Sequence, residues 1–79
     1  MRAFGYCRDN PDAEEPTALR EVSLGLTVKE LDNLIAFLED ARLKFGQGIP
    51  RPGQAHCHLR DWSDAWGSSD PDVIVVYDV

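Results

Sequence analysis

The run Thr27–Phe45, TVKELDNLIAFLEDARLKF, constrains the fold of this chain more than any other stretch. Thr27 is a natural N-cap, and Glu30 three residues later completes a capping box that satisfies otherwise orphaned amides. Leu26 before the cap and Leu31 in the first turn are placed to form the accompanying hydrophobic staple. Leu31, Leu34, Ile35, Leu38, Ala41 and Phe45 recur at spacings of three and four, which makes one apolar stripe. Phe37 falls on the flank of that stripe and is expected to be partly exposed. Asp40 and Lys44 form an i,i+4 pair in the favourable order, and Gly46 and Gly48 can end the helix. The predicted helix, Val28–Phe45, is roughly 27 Å long.

The flanking segments read as strands. Arg2–Arg8 (RAFGYCR) is the first, and Asp9–Pro16 breaks it with two prolines, Asn10 and four acids. Leu19–Leu26 alternates, with Val22, Leu24 and Leu26 on one face and Glu21, Ser23 and Gly25 on the other, the period of a half-buried strand. Ile49–Gly53 is a rigid linker and turn. A third strand over Ala55–Trp62 leads into the Trp-Asp loop Asp61–Pro71, and Asp72–Val79 (DVIVVYDV) is a β-prone last strand. The order predicts a single α+β domain over residues 1–79, β-β-α-β-β, with one mostly antiparallel four-stranded sheet and one helix packed on one face. The helix between the second and third strands is a crossover, right-handed if those strands are parallel neighbours. One helix covers only one sheet face, and the last strand is apolar on both, so a homodimer through the open face or an edge strand is a natural expectation.

Charge and cysteine usage narrow the class. A formal net charge of −6 argues against general nucleic-acid binding, which wants a basic surface. It favours encounter with a basic protein partner, although acidic domains without such a partner are common. No segment approaches the about 20 apolar residues of a membrane helix, and Met1–Tyr6 lacks the apolar core of a signal peptide, so the default location is cytoplasmic and no membrane is involved. Cys7 and Cys57, the only cysteines, fit neither a disulfide framework nor a zinc finger. Both lie in strand-like segments, where a free thiol behaves as a small buried hydrophobe.

The chemistry-bearing residues concentrate in Ala55–Trp66, AHCHLRDWSDAW. On a strand His56 and His58 share one face and Cys57 and Leu59 the other. Two imidazoles at that spacing can hold one metal ion, but a closed site needs three or four ligands. Asp61 falls on the Cys57 face of a regular strand, so the simpler reading is a solvent-facing pair beside Arg60. A dimer bringing two pairs together is the metal-binding alternative. Trp62 and Trp66, among Asp61, Asp64, Asp70 and Asp72, are the partner-contact candidates, since tryptophan buries much area on a rigid side chain. At least one of them is expected to fold back onto the core. Asp9, Asp12, Glu14 and Glu15 lack the calcium-loop pattern and read as a solvated loop adding to the same negative field.

No phosphate loop, nucleophile elbow or zincin helix is present in the sequence, so no cofactor is expected and catalysis is not indicated. The run LTVKELDNLIAFLEDA, followed by HCHL and DVIVVYDV, resembles small bacterial immunity proteins of polymorphic-toxin systems over the C-terminal two-thirds of the chain. That resemblance implies a compact acidic α+β protein that neutralises a cognate toxin by binding it, without catalysis. It assigns no functional residues. The expected function is therefore a non-catalytic protein-binding domain, immunity-type, taking a basic partner through Trp62, Trp66, Asp61, Asp64 and Asp70. The alternative is a homodimeric structural or regulatory domain, metal-linked through His56 and His58.

Overall fold

The computed structural model describes residues 1–10, 12–47, 55–67 and 69–77. The elements follow in the order β1 (Ala3–Gly5), β2 (Thr17–Leu19), α1 (Val28–Phe45), β3 (His56–His58), α2 (Leu59–Trp62) and β4 (Ile74–Val76). The α+β class agrees with the sequence reading, and the strand–strand–helix–strand–strand order holds except that the short helix α2 enters between the last two strands. The single four-stranded sheet does not. Among the described residues the strands pair as two separate antiparallel two-stranded sheets, β1 with β2 and β3 with β4. With β2 and β3 in different sheets, no crossover handedness arises. Gly48, the Ile49–Gly53 linker and the last two residues of the Asp72–Val79 strand lie outside the described residues.

Helix α1 has the predicted bounds, for the predicted local reason. Thr27 Oγ1 accepts from the Glu30 amide at 3.1 Å, and the Thr27 amide donates to Glu30 Oε1 at 2.9 Å. At the other end the Gly46 amide donates to Arg42 O at 3.0 Å. Gly46 stays right-handed, with φ −76°, so this terminus does not use glycine's left-handed freedom.

The face that α1 buries is a correction. Leu34, Phe37 and Ala41 are its buried residues, and Phe37, expected on an exposed flank, is only 1 % exposed. Leu31, Ile35 and Leu38 of the predicted stripe remain 44–47 % exposed. At about 100° per residue the apolar side chains from Phe37 round to Val28 cover roughly half the helix circumference. Such an arc is wider than one contact, and the core takes the edge that carries the aromatic ring and the small Ala41. There Leu34 and Phe37 pack with Leu59 and Trp66, and Leu26, Cys57, Val73 and Val75 close around them.

The strands are shorter than their β-prone runs. Leu19–Leu26 pairs only at its first residue, because β1 offers partners only for Thr17–Leu19. Val22 and Leu24 are consequently 55 % and 50 % exposed, while Leu26 reaches the core. The Ala55–Trp62 strand ends at His58 and turns into α2, with the Ser63 amide donating to Leu59 O at 3.1 Å. Its hairpin with β4 has the register His56↔Val76, Cys57↔Val75 and His58↔Ile74. The pairing extends through Leu59 N to Val73 O and Tyr77 N to Ala55 O, both 2.9 Å. The outer face carries His56, His58, Ile74 and Val76, and the inner face sends Cys57 and Val75 to the core. Both thiols are free. Cys57 is half-buried as expected of a small hydrophobe, but Cys7 is exposed because β1 ends at Gly5, before reaching it.

Candidate functional site

The residues singled out in Ala55–Trp66 split between a surface hollow and the core. The hollow, about 470 Å³, is lined by Phe37, Lys44, His56, Cys57, His58, Asp61 and Trp62. It forms because β3 stops at His58. A continued strand would send Asp61 to the Cys57 side, whereas the turn of α2 brings Asp61 and Trp62 round to the rim shared with both histidines. Phe37 supplies the floor.

His56 and His58 stand on one face as the alternation requires, with ring centroids 5.1 Å apart in an edge-on arrangement. His58 Nδ1 lies 2.6 Å from Asp72 Oδ2. A carboxylate acceptor there draws the proton to Nδ1 and leaves Nε2 as the outward nitrogen. Asp72 also accepts from the Arg60 amide at 3.2 Å. Burial pushes the Asp72 carboxyl up, but the His58 hydrogen bond, the Arg60 amide and the nearby positive charges hold it below the usual carboxylate value. Among the described residues no group of three or more histidines, cysteines and acids is arranged to hold a metal ion. Among those residues the histidine pair is two ligands without a third, and Asp72 orients His58 through its hydrogen bond.

The tryptophans divide the roles expected of both. Trp66 is 8 % exposed and belongs to the core, with its indole N–H donating to Pro71 O at 2.8 Å. Its ring and its one donor are used within the core, the place expected of at least one of the two tryptophans. Trp62 is 38 % exposed, and its ring meets buried Phe37 edge-on at 5.8 Å. The acids divide similarly. Asp70 accepts from the Gly67 amide at 2.8 Å and closes the turn before Pro71, so its carboxylate is engaged within the loop. Asp61 and Asp64 are exposed on either side of Trp62. Arg60 donates to Asp70 O at 2.9 Å, which pins the loop from below.

Lys44 and Phe37 were not among the residues expected at the site. Lys44 is drawn in by its ion pair with Asp40 at 3.0 Å, and the hydrogen bond to Asp40, then its charge, raise the ammonium above the ordinary lysine value. The i,i+4 pairing was readable; its position over the hollow needed the packing of α1 against α2. The Arg8 guanidinium donates to Ser69 O at 3.1 Å. That bond ties the chain just before the acidic stretch Asp9, Asp12, Glu14 and Glu15 to the Trp-Asp loop.

No protein-family model, curated protein or solved structure matches this chain. No helix among the described residues is long and apolar enough to cross a membrane.

Proposed function

We propose that this chain is a non-catalytic, acidic protein-binding domain that captures a basic protein partner, immunity-type, in the cytoplasm. The observation that carries this reading is Trp62, a large aromatic left 38 % exposed yet braced against buried Phe37. An aromatic held in place before binding loses little freedom on docking, which is the property of an interface anchor. Asp61 and Asp64 flank it, and the net charge of −6 favours an approaching cation over an anion. The Arg8–Ser69 bond ties the chain just before the acidic N-terminal turn to the Trp-Asp loop, so both contribute to the negative field of the domain. Asp70 and Trp66 support that surface from within instead of meeting the partner.

The test uses the whole chain as bait in lysate of its own source, at low and moderate salt, beside a folded Trp62→Ala variant. A basic protein held by the wild type, weakened by salt and lost with Trp62→Ala supports the reading. Retention of the same proteins by both baits would sink it. Because Trp62 sits at the rim and Trp66 in the core, Trp66→Ala is expected to lose folding and binding together.

A further inference from the structure

The face of α1 that the core leaves uncovered has its own pattern. Val28, Leu31, Ile35 and Leu38 are 77 %, 45 %, 47 % and 44 % exposed. Their spacings of three, four and three are those of a coiled-coil seam, and Arg42 follows four residues later in the same row. The helix cannot bury this seam by rolling, since Phe37 and Leu34 on the adjoining arc are fixed in the core. The seam is also part of a wider surplus of surface. The chain exposes 6625 Å², against about 4,800 Å² for a compact monomer of 8.8 kDa.

We propose that a second copy of this chain seats on the Val28–Leu31–Ile35–Leu38 seam, helix antiparallel to helix. Charge favours a second copy over a uniformly basic helix. In an antiparallel seam each a position faces a d position, so Ile35 meets the second copy's Leu38, and Leu31 meets its Arg42. That register sets each Arg42 beside the other copy's Asp32, twice over by symmetry. A basic helix would answer Asp32 and Glu39 but oppose Arg42 with like charge. The seam also replaces the open sheet face as the self-association surface, because that face interrupts Ile74 and Val76 with His56 and His58. The proposal is independent of the Trp62 surface, which meets α1 only at Phe37 and Lys44, on the arc away from the seam.

Sedimentation velocity and light scattering on the whole chain, under reductant because Cys7 is exposed, read the mass across a concentration series. The expected result is a reversible dimer whose dissociation constant rises about a hundredfold or more in Ile35→Asp. Trp62→Ala and Ile74→Asp should leave it within about threefold, a shift of roughly 0.7 kcal/mol. Asp32→Arg and Arg42→Asp, both at exposed positions, should each weaken the dimer, and the double swap should restore it. Residues ten apart on one helix stand about 15 Å apart, so that rescue can only act between copies. A monomer at every concentration overturns the proposal. So does a dimer indifferent to Ile35→Asp, or a double swap no better than its parents while helix content is unchanged.

Discussion

Asp72 shows how one side chain can serve both stability and site geometry. Its carboxylate accepts from His58 and from the Arg60 amide, and only 21 % of its side chain is exposed. Its removal by Asp72→Ala is expected to cost about 1–2 kcal/mol in urea unfolding at neutral pH. The pH dependence has a definite sign. A carboxyl held below its unfolded value contributes fully above about pH 4 and loses that contribution as pH falls through the lower folded value. Wild type and Asp72→Ala should therefore converge in stability on acidification below about pH 4. An unchanged gap would show that the bond to His58 is not a charge-assisted one. In the sequence Asp72 is one of four acids around the tryptophans, with no local mark separating it from Asp61, Asp64 or Asp70. Its role follows from the β3–β4 register, which sets His58 opposite Ile74, two residues along and on the same face.

At the scale of elements, α1 is the most local structure in the chain. Thr27→Ala removes the acceptor for the Glu30 amide and should lower stability by about 1 kcal/mol, measured as a shift in the urea midpoint. Thr27→Ser should recover most of that loss. The bounds of α1 were legible because caps and breakers act on neighbours in sequence. Its buried arc was not, because the eight apolar residues from Phe37 round to Val28 offered more surface than one core could use. The strands show the converse. Alternation in Leu19–Leu26 marked which side chains share a face, but a strand also needs a partner, and β1 pairs no further than Thr17 and Leu19. Likewise Ala55–Trp62 alternates well enough for a strand, and the turn into α2 that brings Asp61 to the histidines has no comparable signature.

The whole molecule is looser than its length requires. Its radius of gyration is 13.5 Å, against about 11.6 Å for a compact domain of 79 residues. The β1–β2 hairpin accounts for part of this, with Phe4 53 % and Tyr6 61 % exposed at the surface. An isolated two-stranded hairpin is marginal in water, so the two sheets should differ in protection. Amide hydrogen exchange should find the β1–β2 amides open early, while Leu59 and Tyr77, bonded across β3–β4 beside the core, exchange far more slowly. Equal protection of both sheets would mean that the hairpin is held by another surface.

By itself the sequence determined the helix with its cap, the α+β class, the shared face of His56 and His58, and the acidity that bears on partners. All of these are properties of adjacent residues or of composition, so no distant contact was needed to set them. Tertiary structure alone decided that Phe37 and Trp66 enter the core, that Trp62 stays at the rim with Asp61, and that the strands among the described residues divide into two sheets. Those outcomes rest on competition among apolar side chains for limited buried volume, and on which strand edges meet. Such competition is settled only when residues far apart in the chain come into contact.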